Sequence, residues 1–519
     1  MPATASLDAR RTVRRHVLRL QGRLDSDRSD RFLPWLLAAG ATLLLALCHA
    51  AANRSLNGGG GLAPWLQAGW RRTHGGAGTP LAGTDPASGS PVSEVVLLLG
   101  RLVGAETAFV TLQALAIGLA VVPLWRLART EAHLRVGATC AIVVAFVLAP
   151  TLHRANLGGF HPELLAVPAI FEAYRQGLNR RWWRVALLTL FIVCCRPDLG
   201  LTVAALGGYF ATTGRRRAGL SLGAFGVLWT LGALLVLRPD LPDERLSPAG
   251  EFVHRATGPL AAVGELLTDP LTSLGTMLAE PSVQFVVVIL APLIFLPMMT
   301  PRRLAIALPG LLLALLADEA VQRNAERGVL DLAPAGAHIG PVVAVVFLAL
   351  VFALERIGVP SVTRVNVDRR VLLSLLSGAV LLFVIEAPTS PYRRPWAWGG
   401  RDAADGARLA AVELVPEDAA VAASPSVIAL VAERAVVVEL PPVPTAIDAA
   451  HADALAGDGI DYVVLDTGAR VAADGTVLWS ETSRERAVGR LEASGYEQVG
   501  AVGDVLVLTR AGAAAPADG

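Results

Sequence analysis

The sequence predicts an α-helical polytopic membrane protein with about eleven spans, followed by a small α/β domain outside the membrane. Of the 519 residues, 53% are apolar and only 17% charged, whereas soluble domains carry about 25% charged residues. The mean hydropathy is +0.52. Apolar stretches of membrane-spanning length recur as far as residue 387, and the pattern then changes to short strands and amphipathic helices.

The composition excludes several classes of function. A net charge of +1 gives no basis for nucleic-acid binding. All 45 basic residues are arginine, so a Schiff-base lysine and a phosphate-loop lysine are both excluded. The four cysteines lie inside apolar stretches and show neither metal-ligand spacing nor a disulfide framework. We therefore predict no metal site, and the sequence leaves the cofactor and the oligomeric state open.

The basic N-terminal segment, residues 1–32, is predicted to lie in the cytoplasm. Its arginines alternate with apolar residues at a spacing that fits an amphipathic helix on anionic headgroups. A solvated tail that only sets the topology fits as well, so both interpretations stay open.

The predicted transmembrane domain covers residues 33–387. Its spans are predicted at 33–52, 105–125, 136–152, 163–174, 182–195, 199–213, 218–237, 283–299, 304–317, 338–355 and 371–387. Several are short, which is common where a helix is tilted, broken or packed inside protein.

The arginines give the orientation of these spans. With the N-terminus inside, every inner loop is rich in arginine. These residues are Arg126, Arg129 and Arg135, then Arg175, Arg180, Arg181 and Arg184, then Arg215, Arg216 and Arg217, then Arg302 and Arg303, then Arg356, Arg364, Arg369 and Arg370. The positive-inside rule therefore predicts a plasma-membrane protein whose C-terminal region lies outside the cytoplasm.

The C-terminal region divides into a linker at 388–408, an extracytoplasmic α/β domain at 409–511 and a disordered tail at 512–519. Strands are predicted at 419–423, 435–439, 462–466 and 504–509, and helices at 426–433 and 483–494. The domain has no dinucleotide motif, nucleophile elbow or metal cluster, so we expect a structural or binding role.

Two helix starts on the predicted outer face carry the candidate chemistry. Each is a polar residue, a proline and an acid: His161-Pro162-Glu163 and Arg196-Pro197-Asp198. Proline and an acid are also favoured in any first helical turn, so helix-start chemistry alone explains each motif. Together they predict one cavity, in which His161, Glu163 and Asp198 are catalytic candidates. Nearby candidates for substrate binding are Arg154, Asn156 and Arg196.

A further polar group lies in the outer loop at 318–338. Gln322, Arg323 and His338 are candidate substrate-binding residues there. A merely solvated loop is the alternative interpretation.

These motifs resemble a bacterial membrane-protein family defined by domain of unknown function 2079. The resemblance covers roughly residues 60–510. It rests on Leu112-Gln113-Ala114 inside a span, on Asn156 to Phe160 leading into His161-Pro162-Glu163, and on Arg196-Pro197-Asp198-Leu199-Gly200-Leu201. The family typically has Lys-Glu-Asp where this chain has Arg196-Pro197-Asp198.

The resemblance implies a fold like that of the C-type glycosyltransferases, which take sugar from a polyprenyl-phosphate donor. Their usual base is an acid in the first outer loop, in a run resembling Asp-Leu-Gly-x-Phe-Asp-Gln-x-x-Trp. The matching run here, 61–70, keeps Gln67 and Trp70, which the resemblance makes substrate-binding candidates, and lacks both acids.

Three functions remain open from the sequence. The first is a glycosyltransferase with Glu163 or Asp198 as base, Arg154 or Arg196 on phosphate and His161 orienting or shuttling a proton. The second is a transporter or lipid flippase, which would need polar residues near the middle of the membrane. The third is a non-catalytic scaffold for envelope assembly. The expected partner is membrane lipid, including a polyprenyl-phosphate sugar in the first case, and no nucleic acid.

Overall fold

The computed structural model describes residues 25–56, 60–76, 78–81, 85–233, 280–317, 339–392, 400–441, 447–468 and 479–512. The predicted N-terminal amphipathic helix, most of the loops at 238–282 and 318–338, and residues 513–519 of the tail lie outside these ranges.

The described chain is mostly helical as far as residue 386. Its first part contains α1 (Asp27–Arg54), α2 (Ala63–Thr73), α3 (Pro91–Val103), α4 (Ala105–Arg126), α5 (Val136–Val147) and α6 (Pro150–Leu157). The Ser26 hydroxyl caps α1 by accepting from the Ser29 N–H, and Asp27 and Asp30 complement the helix dipole in the first turn.

Further helices follow along the described chain, with an irregular segment between α11 and α12. They are α7 (Pro162–Leu178), α8 (Trp182–Cys195), α9 (Leu199–Thr212), α10 (Arg216–Gly232), α11 (Glu280–Leu290), α12 (Pro301–Leu304), α13 (Leu308–Ala317), α14 (Ile339–Ile357) and α15 (Arg369–Glu386). A two-stranded hairpin, β1 (Val359–Pro360) with β2 (Val365–Asn366), joins the last two helices.

Helices occupy most of the described part of every predicted span, but three of those spans are interrupted, one of them at 304–317 by the 3₁₀ turn Ala305–Ala307. The span at 136–152 breaks after Val147, before Pro150 starts α6. The span at 283–299 stops being α-helical at Leu290. Ile294 and Phe295 there have φ of 50° and 55°, which no α-helix accommodates.

Four of the described helical segments are long and apolar enough to cross a bilayer by length and composition: Asp27–Arg54, Ala105–Glu131, Val136–Leu157 and Ile339–Ile357. They differ in burial. The most apolar window of the last segment is 89% buried inside the protein and that of the first is 33% buried. Thus α14 is a central helix, while α1 exposes most of its surface at the periphery.

Contacts between the connecting segments identify two ends of the helical domain. At one end Arg129, only 1% exposed, binds Asp25 at 2.8 Å and Asp30 at 2.6 Å, and Arg364 donates to the Arg129 carbonyl. The arginine-rich turns between α7 and α8 and between α9 and α10 lie at this same end, because Asn179 donates to Glu131 and Arg215 donates to the Leu178 carbonyl. The starts of α7 and α9 lie at the opposite end.

The C-terminal region folds around a five-stranded mixed sheet. Its elements are α16 (Ala403–Glu413), β3 (Val421–Ala423), β4 (Val437–Glu439), α17 (Ala449–Gly457), β5 (Tyr462–Asp466), α18 (Glu481–Ala493), β6 (Tyr496–Val502) and β7 (Val505–Arg510). The strand order is β4-β3-β5-β7-β6, parallel among the first three strands and antiparallel across the last three.

All four predicted strands are present, although the sequence analysis missed β6, α16 and α17. The helix predicted at 426–433 is a short 3₁₀ turn, Ile428–Val431. Helix α16 begins at Ala403, inside the segment assigned as linker, because Asp402 and Asp405 form a capping box there.

The C-terminal sheet docks on α2. Ala63 is buried in the sheet's own hydrophobic cluster, and the Gln67 amide donates to the Arg434 carbonyl at 3.4 Å. Arg401 donates to the carbonyl of Arg54 at the end of α1. The sheet therefore lies at the end of the helical domain where α7 and α9 start.

Candidate functional site

The two proline-led helix starts meet around one buried carboxylate. Glu163 lies in the first turn of α7 and is 1% exposed. Its Oε2 lies 3.3 Å from Nη1 of Arg196, and the Nε of Arg196 lies 2.7 Å from Oδ1 of Asp198. Arg196 thus connects the start of α7 to the turn that leads into α9.

His161 completes this cluster from the other side of the carboxylate. Its Nδ1 lies 3.4 Å from Oε1 of Glu163. Its side chain is 16% exposed, so it is the more accessible member of the pair. The structure therefore brings together His161, Glu163, Arg196 and Asp198, as the sequence analysis expected from the two motifs; their roles remain a prediction.

A glutamine from the middle of α4 fixes the backbone on which His161 stands. Gln113 is fully buried, and its Oε1 accepts from the His161 N–H at 2.7 Å. Its Nε2 donates to the carbonyls of Ala155, Asn156 and Gly159 at 3.0–3.4 Å. The Gln113 side chain thus provides hydrogen-bond partners for four backbone groups around the turn between α6 and α7. Sequence reasoning noted Gln113 only as part of the family resemblance, although an amide inside an apolar span is itself a signal.

Asn156 ties this turn to α1. Its Nδ2 donates to the Leu45 carbonyl at 3.1 Å, and Leu157 packs against Cys48 and Ala52. One turn beyond Leu45 on the same helix stands His49, which sequence reasoning missed.

His49 is 1% exposed, and its ring lies near the backbone of Asn156. Among the described residues, neither ring nitrogen of His49 makes a well-formed hydrogen bond, and the same holds for Asn156 Oδ1 and His161 Nε2. Buried polar atoms normally have partners, so these three side chains are candidates for binding a polar group.

Arg154 has a different neighbour. Its guanidinium lies 3.4 Å from Oε2 of Glu386 and donates to the Glu386 carbonyl, at the end of α15. The adjacent His153 bonds the Val147 carbonyl and the Thr389 hydroxyl, each at 2.8 Å. These contacts attach α6 to the segment that leaves α15.

Gln67 and Trp70 lie away from the Glu163 cluster. Gln67 donates to the Thr79 carbonyl and accepts from the Leu81 N–H, which fixes the segment after α2. Trp70 stacks on His74 with ring centroids 4.1 Å apart.

The side chain of α2 that reaches the site is Trp65. Its ring packs edge-on against Phe160, immediately before His161, with centroids 4.8 Å apart, and it also contacts Phe109. The three remaining candidates, Gln322, Arg323 and His338, lie outside the described residues.

The charges of the cluster limit what it can bind. One guanidinium faces two carboxylates, so with His161 neutral the group carries a net charge of −1. Within the part of the chain that the structure describes, no group of three or more His, Cys, Asp or Glu residues is placed to hold a metal ion. An imidazole beside a buried carboxylate can take part in proton transfer and in hydrogen bonding to a polar ligand.

Residues 89–487 match the family described as predicted membrane protein (DUF2079), which accounts for more than three quarters of the chain. The chain belongs to this DUF2079 family. Both helix starts and three of the five strands of the C-terminal sheet fall within the matched range. None of the curated proteins compared matches the sequence.

Two solved membrane-type structures are similar to this DUF2079 protein over most of its length. The cryo-EM structure of the arabinofuranosyltransferase AftD from mycobacteria has 17% identity and a TM-score of 0.45, covering 91% of this chain and 39% of that one. The chain thus spans about two fifths of AftD. The crystal structure of ArnT from Cupriavidus metallidurans, bound to undecaprenyl phosphate, has 13% identity and a TM-score of 0.46, covering 93% of this chain and 99% of that one.

Proposed function

We propose that this protein is a membrane glycosyltransferase that moves a sugar from a polyprenyl-phosphate donor to a hydroxyl acceptor. The observation that carries the proposal is the buried Glu163 held between His161 and Arg196. The family resemblance supplies the reaction class, and the geometry supplies residues able to accept the proton that this reaction releases.

His161 is the proton acceptor in this proposal. A carboxylate beside Nδ1 favours the tautomer with the proton on that atom, which leaves Nε2 as the acceptor. Glu163 is therefore a positioning residue, since its carboxylate is enclosed by His161 and Arg196. A base needs to lie within hydrogen-bond reach of the hydroxyl it deprotonates, and the 3.4 Å contact with Glu163 would tighten as substrate binds. Asp198, 25% exposed, is the alternative base.

The proposed step is a single displacement. The acceptor oxygen forms a bond to the anomeric carbon, and the bond from that carbon to the phosphate oxygen breaks. The electron pair leaves with the polyprenyl phosphate, and the hydroxyl proton moves to Nε2 of His161. The predicted phosphate ligands Arg154 and Arg196 are ion-paired with carboxylates, so a phosphate bound there would compete with Glu386, or with Glu163 and Asp198.

The proposed topology follows from the two ends of the helical domain. The arginine-rich end is assigned to the cytoplasm by the positive-inside rule, together with residues 1–32. The Glu163 cluster and the C-terminal sheet then lie at the outer face of the plasma membrane. We retain eleven crossings within 33–387 and an outer domain at 409–511 as part of this proposal, and α16 extends that domain into the segment assigned as linker, to residue 403.

The test is transfer by the purified protein in liposomes that contain a polyprenyl phosphate carrying a radiolabelled sugar, assayed over a panel of sugars. We expect label to leave the lipid in wild type and the rate to fall at least about 100-fold in His161→Ala, the range of a general base. Glu163→Gln should lower the rate in the same way. Glu172→Gln is a matched control, because Glu172 pairs with Arg175 on the same helix at the opposite end. Equal rates in E163Q and E172Q would contradict the proposal.

A non-catalytic scaffold is the second candidate, and one observation favours it. Glu163 is 1% exposed and contacts His161 with one oxygen and Arg196 with the other, as a purely structural ion pair would. The scaffold hypothesis predicts no transfer with any sugar. It also predicts that gene deletion alters the envelope and that expression of either E163Q or H161A in the deletion strain restores it to normal.

A further inference from the structure

An apolar groove opens on the surface between α8 and α10. It has a volume of about 380 Å³. Its lining includes Trp182, Val185 and Ala186 from α8, and Ala218, Ser221 and Phe225 from α10. The groove is lined by the first half of each helix, which is the half nearer the arginine-rich end of the domain.

The groove exists because α10 packs tightly against α9 instead of α8. Glycines bring the two backbones together: a Cβ at Gly207 would lie 2.4 Å from the Gly223 nitrogen, and one at Gly226 would lie 2.2 Å from the Gly200 carbonyl oxygen. Across the gap toward α8 stand small side chains such as Ala186, Ala218 and Ser221, which leave the space between the helices unfilled.

The two hydroxyl groups in the groove are already satisfied by their own helices. The Thr189 hydroxyl donates to the Val185 carbonyl at 2.8 Å, and the Ser221 hydroxyl donates to the Arg217 carbonyl at 3.0 Å. The wall is therefore effectively hydrocarbon and suits an aliphatic chain better than a polar ligand.

Arginines surround the end of the groove where both helices begin. They are Arg180, Arg181, Arg184, Arg215, Arg216 and Arg217. Arg215 donates to the Leu178 carbonyl at 3.0 Å, which joins the two arginine-bearing turns into one patch. Neither 179–195 nor 213–233 contains an acidic residue. The nearest acids on packed elements are engaged: Glu131 accepts from Asn179, and Glu172 pairs with Arg175.

We propose that this groove binds one acyl chain of an anionic phospholipid, whose phosphate lies among Arg181, Arg184, Arg216 and Arg217. The apolar length fits this ligand, because the nine residues from Trp182 to Leu190 rise about 12 Å, well inside one leaflet. Trp182 and Trp183 stand where the chain would meet the headgroup, the position that tryptophan favours at membrane interfaces. Arginine forks bind phosphate oxygens in pairs, and each basic residue near an anionic lipid surface adds to binding.

This site is independent of the proposed sugar transfer. It lies at the beginning of α8, whereas the Glu163–Arg196 pair lies beyond its end. Failure of either proposal therefore leaves the other unaffected.

The experiment measures lipid retained by the purified full-length protein, using native mass spectrometry during titration with phosphatidylglycerol or phosphatidylcholine. We expect a saturable phosphatidylglycerol adduct and at least about tenfold weaker binding in Arg216→Gln/Arg217→Gln. Arg369→Gln/Arg370→Gln is the matched control, since it removes two exposed arginines at the start of α15, away from the groove. This control should bind as wild type does.

A second variant tests the acyl-chain half of the proposal. Ser221→Phe fills the groove from α10 without changing charge, and it should abolish the saturable adduct while the protein stays monodisperse. Equal binding of the two phospholipids, equal loss in both arginine pairs, or retention of the adduct in S221F would each overturn the assignment.

Discussion

The backbone N–H of His161 donates to the side-chain oxygen of Gln113 across 2.7 Å. The two residues are 48 positions apart in the chain, and this bond fixes the start of α7 against the middle of α4. The imidazole and carboxylate of the candidate site therefore stand on a backbone that a neighbouring helix holds in place, which is how a catalytic pair stays within its working geometry.

Replacing Gln113 by leucine should disrupt this support. The change leaves the carbonyls of Ala155, Asn156 and Gly159 and the N–H of His161 without their buried partner, so the free energy of unfolding should fall by about 2–4 kcal/mol. Sugar transfer should fall with it. Chemical denaturation in detergent measures the first effect. Gln113→Glu is the informative comparison, because it keeps the acceptor for the His161 N–H but places a carboxylate against three carbonyls. Wild-type stability and transfer in this variant would show that the Gln113 hydrogen bonds do not support the site.

His49 should behave as a ligand-binding residue and not as a stabilising one. Its ring nitrogens are buried without well-formed partners among the described residues, so His49→Leu should leave stability within about 1 kcal/mol of wild type or raise it. Transfer should nevertheless decrease, through a raised KM for the acceptor. Kinetics of H49L beside its denaturation curve separate the two effects, and unchanged kinetics would assign His49 to packing alone.

Arg196 should be more important for stability than any exposed arginine. Arg196→Met leaves Glu163 charged and buried without the guanidinium that faces it, a situation that costs about 3–5 kcal/mol. Adding Glu163→Met should recover much of that loss, because the buried charge is then gone. The control is Arg175→Met, whose more exposed pair with Glu172 should contribute no more than about 1 kcal/mol. A double-mutant cycle of Arg196→Met and Glu163→Met, measured by denaturation, gives the coupling free energy between the two side chains. Additive losses of stability would contradict this coupling.

The C-terminal sheet should lose stability in acid through Asp466. Burial alone would raise the pKa of this carboxyl, but hydrogen bonds from Ser426 and Arg408, with one from the Gly468 N–H, outweigh burial and hold the pKa below its ordinary value of 3.8. A folded-state pKa below the unfolded one gives stabilisation that is complete above about pH 4 and lost as the pH falls through the lowered value.

Hydrogen exchange of β5 in the full chain between pH 3 and pH 7 measures this dependence. Asp466→Asn should exchange faster at neutral pH and show a flatter acid profile than wild type. Asp453→Asn changes an exposed carboxyl group, serves as the control and should exchange as wild type does. A wild-type profile in D466N would contradict the assignment of the acid sensitivity to Asp466.

The sequence was sufficient for those parts of the site that rest on local rules. Proline at the start of α7 and next to Arg196 marked two helix starts, and the alternation of arginine-rich turns placed both at one end of the domain. The convergence of Glu163 with Arg196 followed from these two rules together.

Other parts of the site depend on tertiary contacts that leave no periodic signal. A single polar residue such as Gln113 or His49 inside an apolar span looks the same whether it faces lipid, core or ligand. Arg154 illustrates the converse: its neighbours in sequence suggested the cavity, but Glu386, 232 positions away, holds its guanidinium. Strand β6 was missed because its exposed Glu497 and Gln498 resemble a loop until β7 pairs with them.

The bond from Gln67 to the Arg434 carbonyl joins positions 367 residues apart. At roughly 5–20 residues added per second, tens of seconds of synthesis separate the two. The segment around α2 is therefore synthesised long before the C-terminal sheet that buries Ala63. It stays uncovered by that sheet while the later helices are synthesised. Shielding of this segment on the nascent chain is thus a requirement that the order of synthesis imposes on any cell producing the protein.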